Sequence, residues 1–146
     1  MTAERRWVTR SPEETIDLGR QIAAGVRAPQ LILLMGDLGA GKTTLAKGLI
    51  AGLGAASPDD VLSPTFSLIH EYGSAPKVYH IDLYRLDRLP ELETLGLDDL
   101  WEQSAVTLIE WGEKFEARLP GRRLEIRLSQ VGDDGREIVL TDHAAA

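Results

Sequence analysis

The sequence predicts an α/β fold of three layers, with a mostly parallel central sheet and a β-hairpin at the C-terminal end. Three observations point there. Leu31 to Met35 is a continuous apolar run, too short for a helix and bounded by Pro29 and Gly36, as expected of a strand buried on both faces. From Lys42 to Leu53, the positions Leu45, Leu49, Ile50 and Leu53 make one helical stripe, stopped by Gly54. Val78 to Ile81 and Val106 to Ile109 repeat the short apolar pattern and end in Asp82 and Glu110. Strand, glycine-rich turn, helix and further buried strands is the order of a parallel sheet covered by helices.

The remaining elements follow in chain order. Ser11-Pro12-Glu13-Glu14 supplies a capping hydroxyl, a proline at the first helical position and a carboxylate three residues after the cap. Thr15, Leu18, Ile22 and Val26 then recur at helical spacing until Pro29, and the helix is predicted to cover a sheet face. Phe66 to Tyr72 and Lys77 to Leu83 read as strands separated by Gly73-Ser74-Ala75-Pro76. Leu89 to Gln103 reads as helical with a break near Gly96. Arg122 to Ser129 and Arg136 to Thr141 form the predicted hairpin around Gly132-Asp133-Asp134-Gly135. No repeat or linker interrupts the pattern, and 146 residues suit a single domain, 1–146.

Composition removes several classes of function. Hydrophobic residues make up 43% and charged residues 27%, which is globular usage. No apolar run approaches the roughly 18 to 20 residues that cross a bilayer, and no basic stretch leads into a secretory core, so a cytoplasmic protein without a membrane partner is expected. The absence of cysteine excludes disulfides, thiolate metal sites and cysteine nucleophiles. A net charge of −7 opposes general attraction to nucleic acid, so any phosphate must be held locally. Arg118, Arg122, Arg123 and Arg127 offer a small basic patch or a solvated surface. His70, His80 and His143 lack metal-ligand spacing and read as packing or surface residues.

Gly36-Asp37-Leu38-Gly39-Ala40-Gly41-Lys42-Thr43 carries two glycines at the spacing of a phosphate-binding loop, followed by lysine and a hydroxyl residue, with Thr44 continuing into the helix. Glycines let successive N–H groups turn inward toward phosphate oxygens, and the helix adds its partial positive N-terminus. Lys42 is placed to neutralise β/γ charge, and Thr43 to ligate a Mg²⁺ ion. The predicted architecture is therefore of the P-loop NTPase type.

In a parallel sheet, strand C-termini meet at one edge, where ligands bind. Asp82 and Glu110 would both arrive there, one holding magnesium and the other positioning or deprotonating a water; either could take either role. Thr65, in Ser63-Pro64-Thr65-Phe66, reads as a γ-phosphate sensor or a turn threonine. Trp111 reads as a base-stacking residue, a plug for the site or a core tryptophan. With no asparagine and no Asp-x-x-Gly, the guanine-switch pattern is missing and ATP is expected rather than GTP. A small-molecule kinase is the alternative enzyme, with Arg85, Arg88, Arg118, Arg122 and Arg123 as its candidate arginines. A nucleotide-gated interaction module is the third class.

The loop through Thr44, Ser63-Pro-Thr-Phe66, His80-Ile-Asp-Leu-Tyr-Arg-Leu86, Leu95-Gly-Leu97 and Leu108-Ile-Glu-Trp111, in this order, resembles the bacterial TsaE (YjeE) ATPases over about Ser11 to Leu128. The resemblance implies an ATPase required for threonylcarbamoyl transfer to adenosine 37 of tRNA, without being the transferase. It implies docking on the TsaB–TsaD pair, with tRNA met only through that complex, and ATP binding or hydrolysis resetting the assembly between cycles. By motif, Lys42 and Thr43 hold phosphate and magnesium, Thr65 belongs to a switch-like loop, Asp82 is the Walker B carboxylate, and Glu110 with Trp111 completes the active edge. Phe66 stands where relatives have tyrosine, and the tail after Ser129 matches weakly.

Overall fold

The computed structural model describes residues 3–37, 39–62, 68–86, 88–101 and 103–143. In chain order these form β1 (Ala3–Thr9), α1 (Pro12–Ala23), β2 (Gln30–Met35), α2 (Lys42–Gly52), β3 (Ile69–Tyr72), β4 (Lys77–Asp82), α3 (Leu89–Glu93), α4 (Leu97–Trp101), β5 (Ala105–Glu110), β6 (Leu124–Val131) and β7 (Gly135–Asp142). Short 3₁₀ segments cover Pro58–Asp60 and Gly112–Arg118.

The strands form one seven-stranded sheet in the order β1-β7-β6-β2-β5-β4-β3. At its centre β4, β5, β2 and β6 are parallel neighbours, while β3 and β7 flank them antiparallel. Because β1 runs antiparallel to β7, it shares the central direction, and five of the seven strands point one way. The predicted hairpin is β6–β7, paired from Leu124↔Asp142 to Val131↔Gly135.

Strand alternation builds two cores. Ile32, Leu34, Val106, Leu108, Ile126 and Leu128 face α1 and α2, while Leu31, Leu33, Met35, Ile81 and Ile109 face α3, α4 and the 112–118 turn. The continuous apolar run of β2 thus has a buried partner on each side, the reason it carries no polar alternation.

Helix α1 begins as its sequence predicts, with Ser11 Oγ accepting the Glu14 N–H at 3.1 Å and Glu14 Oε1 accepting the Arg10 N–H at 2.8 Å. It stops at Ala23 rather than running on to Val26, although Val26 is buried. α1 lies chiefly along α2, and both helices cover the same sheet face. Their crossing is glycine on glycine. A Cβ on Gly48 would fall 2.1 Å from Ile16 O, and one on Gly19 would fall 2.7 Å from Leu45 O. The predicted Leu89–Gln103 helix is two short helices, broken where Gly96 adopts φ +66°.

Candidate functional site at the carboxyl edge of the sheet

β2 ends at Met35, and the chain turns at Gly36 with φ +151°, where a Cβ would sit 2.5 Å from Leu128 O on β6. Gly39 (φ +81°) and Gly41 (φ +100°) curl the loop back into α2; beside Gly39 nothing lies within 4 Å of a hypothetical Cβ. Ala40 N–H closes on Asp37 O at 3.0 Å. Leu38 lies outside the described residues, as does Thr65.

The two long helices start differently. α1 has a serine cap and Glu13 and Glu14 in its first turn, whereas α2 has no side-chain cap at Gly41 and no acid in its first turn. No carboxylate of its own first turn competes for the partial positive charge of α2, the condition an external anion needs.

Lys42 and Thr43 open this helix on the edge where β4 and β5 also end. Thr43 Oγ1 donates to Glu110 Oε2 at 3.0 Å and lies 3.2 Å from Oε1. Asp82 and Glu110 are register partners at the last positions of β4 and β5. Asp82 Oδ1 accepts the Tyr84 N–H at 2.8 Å. Lys42 Nζ donates to Gly36 O at 2.7 Å and stands 3.4 Å from the centre of the Trp111 ring. Trp111 is half-buried, has φ +65°, and packs against Tyr84 with ring centres 5.1 Å apart. Thr44 and Gly41 border a cavity of about 310 Å³ that reaches Asp133, Asp134 and Arg136 of the hairpin. Asp37 is exposed at the rim.

Burial sets the electrostatics. It lowers the pKa of the Lys42 ammonium, against the opposing pull of Glu110, Glu113, Asp82 and Asp37. It raises the pKa of the Asp82 carboxyl, helped by the Glu110 charge and opposed by the Tyr84 N–H, His80 and Lys42. A dehydrated cation beside buried acids is the arrangement that gains when a polyanion and its counter-cation enter together.

Two residues that the sequence did not single out belong to this edge. His80 is fully buried, and its Nε2 lies 2.6 Å from Glu110 Oε2. Its signal was parity, since His80 stands two places before Asp82 and strand alternation puts both on the face that α2 covers. Arg136, from the weakly matching tail, donates through Nε to Ala40 O at 3.1 Å and through Nη2 to Gly39 O at 3.4 Å. No local pattern announces a contact across 96 residues. By contrast, Arg123 is held by Glu116 and Glu125 at 2.8 and 2.9 Å, and Arg122 borders a cavity that includes the N-terminal ends of β2 and β5, which removes both from the carboxyl edge.

The donor set fits a triphosphate: an uncapped helix start, a loop with three glycines at positive φ, a lysine and a threonine. Among the described residues no group of three or more His, Asp or Glu forms a metal cage by itself. A magnesium ion here would therefore rely on phosphate oxygens together with Thr43 and a carboxylate.

Fold and loop together define an α/β protein with a mostly parallel seven-stranded sheet and a P-loop NTPase-like layering. Residues 9–138 match the family model described as threonylcarbamoyl adenosine biosynthesis protein TsaE. The chain belongs to the TsaE family. It is 44% identical to the tRNA threonylcarbamoyladenosine biosynthesis protein TsaE of Bacillus subtilis, over 93% of this chain and 84% of that one. It is 43% identical to the protein of the same name from Haemophilus influenzae, over 75% and 68%. The crystal structure of YdiB from Bacillus subtilis superposes with a TM-score of 0.80 at 38% identity, covering 98% of this chain and 88% of the other.

Proposed function

We propose that this chain binds ATP with Mg²⁺ at the 36–44 loop and hydrolyses it as the ATPase component of the machinery that makes threonylcarbamoyladenosine at position 37 of tRNA. The observation that carries the reading is the meeting of Lys42, Thr43, Asp82 and Glu110 at one sheet edge beside an uncapped helix start.

The loop N–H groups and Lys42 receive the β- and γ-phosphates, with Lys42 moving its ammonium from Gly36 O to phosphate oxygen. A bound magnesium ion would supply neutralisation of the phosphate charge. Thr43 and one of the two acids would hold it, and the other acid orients or deprotonates the attacking water. The cavity beside Thr44 and the hairpin receives the adenosine end, and Trp111 closes the site over Lys42. Thr65, outside the described residues, is the γ-phosphate sensor of this reading on the strength of its Ser63-Pro64-Thr65-Phe66 motif alone.

The partner is the TsaB–TsaD pair, and ATP binding or hydrolysis resets that transferase between cycles. A net charge of −7 supports contact with tRNA through the complex rather than directly. Among the described residues no helix is long and apolar enough to cross a membrane, which is compatible with cytoplasmic work.

Mg²⁺-dependent ATP turnover by the isolated chain tests the chemistry. Lys42→Ala should lower it at least about a hundredfold, since an electrostatic contact of this kind typically carries that much, while the fold survives. Unchanged turnover refutes the site. Pull-down with TsaB and TsaD, with and without ATP, tests the partner. No capture, together with phosphate transfer to a small metabolite, would establish the kinase reading instead.

A further inference from the structure

We propose that His80 is a positioning residue for Glu110, fixing the carboxylate so that it meets the reacting phosphate edge in one orientation; this rests on the reading of Glu110 given above. His80 lies within β4, whose residues 78–82 are all buried. Burying an imidazole among aliphatic side chains is unfavourable unless its nitrogens find partners. Among the described residues only one does: Nε2 meets Glu110 Oε2 at 2.6 Å, while Nδ1 is buried with no hydrogen-bond partner there. A histidine kept for packing alone would gain by replacement with an apolar residue, which leaves no nitrogen orphaned. The unpaired Nδ1 identifies the Nε2 contact as what the residue is there for.

The geometry explains what that contact does. In register, His80 faces Leu108, and Glu110 lies two places further along β5, so the contact is a diagonal between neighbouring parallel strands. Both ends are buried residues of hydrogen-bonded neighbouring strands. Glu110 is buried, and the oxygen that His80 meets, Oε2, also accepts from the Thr43 hydroxyl at 3.0 Å, with Oε1 at 3.2 Å. When that hydroxyl turns toward a cation, the imidazole N–H is the bond left to stop the carboxylate from rotating.

Steady-state ATP turnover of the full chain tests the assignment with His80→Phe, which fills the space without an N–H, and His80→Gln, which returns an N–H near the position of Nε2. His80→Phe should lower kcat about ten- to a hundredfold, as loss of an orienting partner typically does, while KM for ATP stays within about threefold. His80→Gln should recover most of the loss. His80→Phe at the wild-type kcat while Glu110→Gln is inactive would overturn the inference and leave the reading of Glu110 standing, and so would equal impairment by Phe and Gln. Wild-type turnover by Glu110→Gln would instead overturn that reading. Should the His80 variants not fold, imidazole ¹⁵N NMR of the unsubstituted chain decides. An Nε2–H signal slow to exchange with water, shifted by Glu110→Gln, supports the pair, and its absence overturns it.

Discussion

Asp82 illustrates at single-residue scale how a site is kept at the expense of stability. Dehydration raises its pKa in the folded chain above the unfolded value, so the folded state binds this proton more tightly. Ionisation therefore penalises folding: the penalty is absent below the usual carboxylate range and complete above the raised pKa. Asn in its place keeps the acceptor for the Tyr84 N–H and sheds the charge. Asp82→Asn should accordingly be more stable to urea than the natural chain at pH 7, with the advantage shrinking as pH falls through the carboxylate range, while ATP turnover drops. A constant stability difference across pH would show that dehydration is not what governs Asp82. Lys42 and Thr43 were legible because the loop motif fixes their spacing, and Asp82 and Glu110 because each ends an apolar run. His80 was not, because a lone histidine in such a run looks like packing until the neighbouring strand is known.

Among elements, the α1–α2 crossing is the most demanding. With Gly48 and Gly19 facing each other, the helix backbones approach closely enough that a methyl group has no room. Gly48→Ala should destabilise the protein by about 1–3 kcal/mol, the usual cost of overpacking, in urea unfolding, although alanine favours an isolated helix. A neutral or stabilising outcome would mean that the helices separate without loss. The capped start of α1, the buried β2 and the break at Gly96 follow from local chemistry and were readable. β1 was not, because Ala3–Thr9 is largely exposed on both faces and shows no alternation; pairing with β7 makes it a strand. For the same reason the contact of α1 with α2, rather than chiefly with the sheet, emerged only from the tertiary structure.

Across the whole molecule, the hairpin is tied to the loop. Arg136 holds the carbonyls of Gly39 and Ala40 from a strand on the far side of β6. Arg136→Ala should raise KM for ATP about tenfold, because the loop must then be ordered by the ligand itself, with little change in unfolding temperature. An unchanged KM would make Arg136 a surface residue. The negative net charge predicts no binding of tRNA to the isolated chain at physiological salt in a filter assay. Strand direction and the meeting of strand ends were legible from apolar runs ending in acids, whereas strand order was not, since nothing local sets β5 between β2 and β4.

The most direct test is a crystal structure with a non-hydrolysable ATP analogue and Mn²⁺, the ion located by its anomalous scattering. The expected peak lies between Thr43 Oγ1 and the carboxylates of Asp82 and Glu110, with Lys42 Nζ on the γ-phosphate. Phosphates bound away from the 36–44 loop, or an ion remote from both acids, would contradict the account.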